Sequence, residues 1–223
     1  MKYTCCIFDL DGTLINTVHA LNRTIDMTLA HFGCGPIDQA HTKVFVGDGY
    51  KEFVKRALIY RGDTDLTLLE EALPLYCRLF EDNCLYRIEA YQGMRELLDW
   101  VKERGMKIAV LTNKAHAQAV ACIETVYGKG YFDLITGEGP GMKRKPDPQG
   151  ALYTARSLGA EPGECLYLGD TNTDMRTGLA AGMDTVGVTW GFRGREELEE
   201  FHPRFIVDDP REVISILEKP EAY

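Results

Sequence analysis

The chain has 223 residues, 45% hydrophobic and 26% charged, which is enough to bury a core and fits one domain carrying a sizeable insertion. Its 25 Lys and Arg against 34 Asp and Glu give a formal net charge of −9, so a partner held by diffuse attraction to a phosphate polymer is excluded and no nucleic acid is expected. A single pocket can still take a small phosphorylated molecule if a metal ion or one lysine supplies the local positive charge.

Taken in chain order, short apolar runs rich in β-branched and aromatic residues predict buried strands at Tyr3–Phe8, Lys107–Leu111, Phe132–Ile135, Cys165–Leu168, Thr185–Val188 and Phe205–Val207. Helical spacing lies between them, as at Met94, Leu97, Leu98 and Val101 before Gly105, and at Ala151, Ala155 and Leu158 before Gly159. Strands alternating with helices predict an α/β fold, a Rossmann-like parallel sheet covered on both faces. The alternation breaks after the first strand. Leu21, Ile25, Leu29 and Phe32, then Val54 and Leu58, then Leu69, Leu73, Tyr76 and Phe80 follow helical spacing with no strand among them. This predicts a helical cap domain over residues 17–88 inserted into a core of 1–16 and 89–223, expected at the carboxyl edge of the sheet where ligands of such folds bind. The acidic run Glu196, Glu197, Glu199 and Glu200 is expected to be a solvated helix face.

No apolar run reaches the ~20 residues that cross a bilayer, and Asp9 interrupts the first strand before a signal core could form. Seven scattered cysteines, Cys5, Cys6, Cys34, Cys77, Cys84, Cys122 and Cys165, contain no CxxC pair and are expected as buried thiols. A cytoplasmic protein without membrane attachment follows as the expectation.

Four segments carry chemistry, each at the end of a predicted strand or in the loop beyond it. In Asp9-Leu10-Asp11-Gly12 two carboxylates two residues apart leave the strand on the same side, and they repel unless a cation or proton lies between them. This suits a Mg²⁺ site with one Asp as nucleophile and the other as general acid/base. Thr112 and Asn113 offer a hydroxyl and an amide beside a helix start, a cradle for phosphate oxygens. Lys145 precedes two prolines that stiffen its path, and its ammonium can neutralise a phosphoryl oxygen and the nucleophile together. In Gly169-Asp170-Thr171-Asn172-Thr173-Asp174 two acids are expected one helical turn apart on one face, with Gly169 allowing a ligand or metal to come close.

Together the four segments resemble the motifs of the haloacid dehalogenase-like hydrolase superfamily, and within it the phosphoglycolate phosphatase group, over nearly the whole chain. The resemblance implies a phosphoric monoester hydrolase that uses Mg²⁺ and acts on a small phosphorylated metabolite through an aspartyl-phosphate. It implies Asp9 as nucleophile and Asp11 as general acid/base. Thr112, Asn113 and Lys145 would hold the phosphoryl group, and Asp9, Asp170 and the Asp11 backbone carbonyl would hold the metal. Asp174 would support the metal or orient Lys145. Val46-Gly47-Asp48-Gly49-Tyr50 is similar to the cap segment of that group, which makes Arg56 or Lys51 the expected cation for a substrate carboxylate. Asn16, Thr17, Val18 and His19 depart from the group's usual residues after the first motif and leave substrate choice open. A pyrophosphatase, nucleotidase, sugar-phosphate phosphatase or phosphomutase of the same superfamily stands as the alternative, and a phosphoacceptor signalling module as the non-enzymatic one. The expected assembly is a monomer or homodimer.

Overall fold

The computed structural model describes residues 2–218. The chain divides into two compact units, one formed by the segment up to Asn16 together with the chain from Ala90 onward, the other by Thr17–Glu89.

The first unit is built on a six-stranded sheet. Its strands are β1 (Cys5–Phe8), β4 (Lys107–Ala115), β5 (Leu134–Glu138), β6 (Cys165–Gly169), β7 (Asp184–Val188) and β8 (Phe205–Val207), while β2 (Ile15–Asn16) and β3 (Glu89–Ala90) are two-residue strands outside it. The spatial order is β5-β4-β1-β6-β7-β8, and every neighbouring pair is parallel. All four residues of β1 and all five of β6 are buried, which is why these strands read as continuous apolar runs without alternation. The fold is Rossmann-like α/β.

Two strands differ from their expected bounds for identifiable reasons. The strand expected at Phe132–Ile135 is displaced to Leu134–Glu138, because Phe132 packs its ring against Tyr127 and Tyr131 at centroid distances of 5.6 Å. β4 continues four residues past the expected Leu111, with a shift in its pairing to β5 between Leu111 and Ala115.

The Thr17–Glu89 unit holds α1 (Val18–His31), α2 (Gln39–Phe45), α3 (Tyr50–Tyr60) and α4 (Leu69–Asn83). Leu21, Ile25 and Leu29 of α1 and Val54 and Leu58 of α3 are buried, so the helical spacing marks the buried faces. Only α2 lacks a counterpart in the sequence reading. It is seven residues long and buries Thr42 alone, and its start is fixed by the Asp38 carboxylate accepting the His41 backbone N–H at 2.8 Å.

The first unit's helices are α5 (Met94–Glu103), α6 (His116–Val126), α7 (Gln149–Ser157), α8 (Asn172–Ala180), α9 (Arg195–Glu199) and α10 (Glu212–Glu218). On α9 the acids Glu196 and Glu199 face solvent, and Arg195 pairs with Glu199 at 3.8 Å. None of the seven cysteines is in a disulfide, and five are buried. No helix among the described residues is long and apolar enough to cross a membrane.

Candidate active site

Strand order reverses at β1, which has β4 on one side and β6 on the other, and open α/β sheets bind ligands beyond the carboxyl ends of strands at such a switch point. Asp9 directly follows β1, held in line by its backbone N–H donating to Leu168 O at 2.9 Å. Asp170 directly follows β6, and Thr112 lies on β4. Three chain segments far apart in sequence therefore converge by topology alone.

Asp9, Asp170 and Asp174 are buried, and each offers a carboxylate oxygen within 4.8 Å of the others. Lys145 lies against them, its Nζ 2.7 Å from Asp9 Oδ1 and 2.6 Å from Asp174 Oδ1. The Asn113 side chain clasps the Lys145 backbone from both sides, accepting its N–H at 2.8 Å and donating to its carbonyl at 3.2 Å. Of the two residues expected as a phosphate cradle, Asn113 thus holds the lysine's main chain. The Thr112 hydroxyl accepts the Lys114 backbone N–H at 3.1 Å. No helix begins at this pair, since β4 runs on and α6 starts only at His116.

The two acids of the Gly169–Asp174 segment do not share a helix face. Asp170 lies in the bend between β6 and α8, Thr171 caps α8 on extended backbone, and Asp174 alone is helical. Thr171 accepts the Asp174 backbone N–H, while Asp174 Oδ2 accepts from the Thr171 N–H at 3.1 Å and its hydroxyl at 2.6 Å, a reciprocal capping box. Asp174 Oδ1 meets the Tyr167 hydroxyl at 3.4 Å in addition to Lys145, so both its oxygens are engaged by protein groups. Gly169 is needed for this acid and not for a ligand: a Cβ there would sit 2.2 Å from Asp174 Cβ.

Asp170 is fixed differently. Its Oδ1 accepts from the Thr13 hydroxyl at 2.9 Å and its Oδ2 from the Phe192 N–H at 2.8 Å. Gly12, at φ +91°, brings the turn after β1 so close that a Cβ would lie 2.2 Å from Asp170 Oδ2. Thr13 is in turn tied to the chain after β7, its carbonyl accepting the Trp190 indole N–H at 3.0 Å.

The electrostatics follow from three buried carboxylates and one ammonium. Burial, then the charge of Asp174, raises the Asp9 carboxyl well above the ordinary carboxylate range; Lys145 opposes this and Asp170 adds to it. Asp170 is pushed up to about 7 by burial and by Asp174, against the Phe192 N–H and the Thr13 hydroxyl. Burial alone would depress the Lys145 ammonium, but Asp174 and Asp9 overcome it and hold the group well above its usual value. One cation cannot neutralise three acids. The surplus negative charge, presented only through oxygen atoms, fits a hard divalent cation, and Asp9 and Asp170 suit it better than Asp174, whose oxygens are taken.

Asp11 stands apart from this cluster. Its two carboxylate oxygens lie 2.8 and 3.1 Å from Lys114 Nζ. In the Thr17–Glu89 unit, Arg56 donates to the Phe45 carbonyl at 2.9 Å and pairs with Asp48, and Lys51 is exposed on the first turn of α3. The sequence reading missed Lys114, Thr13, Thr171 and Tyr167. Thr171 was detectable, because Thr-x-x-Asp before a helix is a capping signature. Lys114 had one signal, a basic residue directly after the Thr112-Asn113 pair.

The sequence pattern of haloacid dehalogenase-like hydrolases matches residues 6–188. The chain is 30% identical over 211 residues to phosphoglycolate phosphatase of Pseudomonas putida, covering 93% of this chain and 77% of that one. It is 30% identical over 215 residues to phosphoglycolate phosphatase of Nitrosospira multiformis, covering 96% and 95%. A crystal structure from Lactobacillus delbrueckii subsp. bulgaricus, described as a candidate phosphoglycolate phosphatase, superposes with a TM-score of 0.91 at 26% identity, covering 97% of this chain and 99% of its own. Members of this family generally use a divalent metal, and the buried Asp9, Asp170 and Asp174 oxygens provide an acidic cluster of that kind. With its sheet order, its converging acids and a match over most of its length, the chain belongs to the haloacid dehalogenase-like hydrolase family.

Proposed function

We propose that the protein is a Mg²⁺-dependent phosphatase that hydrolyses a small carboxylated phosphomonoester of the phosphoglycolate type through an aspartyl-phosphate on Asp9. The observation that carries this reading is the Lys145 ammonium bridging Asp9 and Asp174 beside Asp170 at the sheet's switch point. The kinship with enzymes named phosphoglycolate phosphatase supports the substrate class.

In this reading an Asp9 oxygen attacks phosphorus as the ester P–O bond breaks, and Asp11 gives its proton to the departing oxygen. Asp11 then takes a proton from water, whose oxygen attacks the aspartyl-phosphate; inorganic phosphate leaves and the Asp9 carboxylate is restored. Asp9, Asp170 and the Asp11 carbonyl would hold Mg²⁺, which would supply the positive charge a dianionic ester needs to approach so acidic a site. Lys145 neutralises the phosphoryl oxygens and keeps the Asp9 carboxylate aimed, while Asn113 fixes the lysine's backbone. The Thr112 hydroxyl binds a phosphoryl oxygen. The Thr17–Glu89 unit serves as the cap, with Lys51 and Arg56 as its cations for the substrate carboxylate. The protein works in the cytoplasm as a monomer or homodimer, without nucleic acid or membrane partners.

A panel of phosphoglycolate, pyrophosphate, nucleotides and sugar phosphates, assayed with Mg²⁺ and with EDTA, tests the proposal. Preference for phosphoglycolate, lost in EDTA and in Asp9→Asn, is the expected result. Equal turnover in EDTA overturns the metal role, and preference for another ester moves the substrate to the pyrophosphatase, nucleotidase or sugar-phosphate branch.

A further inference from the structure

We infer that Lys114 is the positioning residue for the Asp11 carboxylate, locking it where it can protonate the leaving oxygen. The inference rests on the reading of Asp11 as the acid/base group given above.

Thr112, Asn113 and Lys114 lie in the stretch of β4 where its pairing to β5 shifts, and their side chains take different partners. Asn113 is used up in clasping Lys145, whereas Lys114 reaches across to β1's exit and engages both oxygens of Asp11, at 2.8 and 3.1 Å. The backbone at Lys114 is fixed as well, through its N–H donating to the Thr112 hydroxyl. Its side chain is only 4% exposed, and that of Asp11 is 15% exposed. A lysine is a long, flexible side chain that loses rotamer freedom on burial, so burying its ammonium against both oxygens of Asp11 fixes the two side chains relative to each other.

The consequence is orientation. Asp11 departs from the strand end into a turn, and a carboxylate there can rotate about its first two torsions among several staggered positions. Two contacts from one ammonium select a single arrangement of the carboxylate, and when Asp11 carries the proton it passes on, one oxygen holds that proton while the other keeps its contact with Lys114. A group that must pass a proton has to sit within hydrogen-bond reach of the departing oxygen, and a misplacement of about 1 Å can cost on the order of 10² in rate. Lys145 cannot serve both acids, since its ammonium already lies against Asp9 and Asp174. The site thus has two lysines for two tasks, one on the nucleophile and one on the proton donor.

The test is kinetic and structural, using the full chain with Mg²⁺. Lys114→Met should lower kcat for phosphoglycolate on the order of 10²-fold while KM stays within about threefold. The loss should be much smaller for nitrophenyl phosphate, whose phenolate leaves without being protonated. Lys114→Arg, which offers a two-pronged contact to the same oxygens, should recover most of the activity. In an Asp11→Asn background, Lys114→Met should add less than about twofold, because the group it positions is already gone.

Three results overturn the inference: unchanged kinetics in Lys114→Met, a rise in KM for phosphoglycolate with kcat intact, which would make Lys114 a ligand for the substrate carboxylate, or full additivity with Asp11→Asn. A crystal structure of Lys114→Met decides the placement independently of turnover. The Asp11 carboxylate should leave its wild-type position, and if it stays there the inference fails even where the phosphatase reading holds. Failure of the wild type on every ester would instead strike that reading, and the crystallographic comparison would still judge Lys114.

Discussion

Replacing Lys145 by Met removes the ammonium that lies against two of the three buried carboxylates, Asp9 and Asp174. Its Nζ is 2.7 Å from Asp9 Oδ1 and 2.6 Å from Asp174 Oδ1, and the side chains of this trio are all close to fully buried. Taking one partner from a buried ion pair leaves an uncompensated charge and typically costs about 3–5 kcal/mol. For a protein of this size 1 kcal/mol corresponds to about 2–4 °C, so in EDTA the core should melt roughly 6–20 °C lower. The double variant Lys145→Met with Asp174→Asn removes both members of one pair, and its loss should fall short of the summed single losses by about 1–3 kcal/mol. Urea and thermal unfolding followed by circular dichroism, in EDTA, measure the wild type, the two single variants and the double variant. Adding Mg²⁺ should recover more stability in Lys145→Met than in the wild type, because the ion then supplies the missing positive charge. A loss below about 1 kcal/mol in the single variant, or strict additivity in the double, refutes the reasoning, since either means the cluster is not held together by this ammonium.

Asp9→Asn should abolish turnover without lowering the melting temperature in EDTA, because burial already disfavours the charged form of Asp9; calorimetry beside the ester assay checks both. The carboxyl of Asp170, held near 7 in the fold against 3.8 as its ordinary value, makes folding more favourable while protonated. The unfolded chain therefore binds fewer protons than the fold between those values, and the stability is full below about 4 and lost as pH rises through about 7. Urea titrations in EDTA should show that decline, and millimolar Mg²⁺ or Asp170→Asn should flatten it. Gly12→Ala places a Cβ 2.2 Å from Asp170 Oδ2 at a φ of +91°, so isothermal titration should find Mg²⁺ binding weakened at least about tenfold.

The sheet was legible because buried parallel strands write themselves as uninterrupted apolar runs, as Cys5-Cys6-Ile7-Phe8 and Cys165-Leu166-Tyr167-Leu168 do. Its edges were harder. Phe132 has the composition of a strand residue and spends it on a ring cluster with Tyr127 and Tyr131. The helix α2 escaped because seven residues span barely two turns, too few for an apolar period to appear. That Asp9, Lys145 and Asp170 come together follows from placing each at a strand end or in the loop beyond it, which needs no knowledge of side-chain angles. What sequence could not supply was who touches whom. Asn113 and Thr112 look alike as polar residues after a strand, yet one clasps the Lys145 backbone and the other accepts the Lys114 N–H.

Asp174 shows why that distinction matters for chemistry. By composition it is the equal of Asp170, four residues away and similarly buried. One of its oxygens closes the capping box with Thr171, and the other takes Lys145 and Tyr167, so its charge is spent on starting α8 and seating the lysine. Asp170 makes one hydrogen bond per oxygen, to Thr13 and Phe192, which orients the carboxylate without a neutralising cation. A carboxylate oriented by neutral donors has no protein cation competing for its oxygens, whereas both oxygens of Asp174 are already engaged. The same helix start thus separates two acids, one an anchor for Lys145 and the other held only by neutral donors. In the proposed reading that division lets a chain with nine surplus negative charges take a doubly charged phosphate: one ammonium is seated between Asp174 and Asp9, and Asp170 beside Asp9 would draw in a second cation.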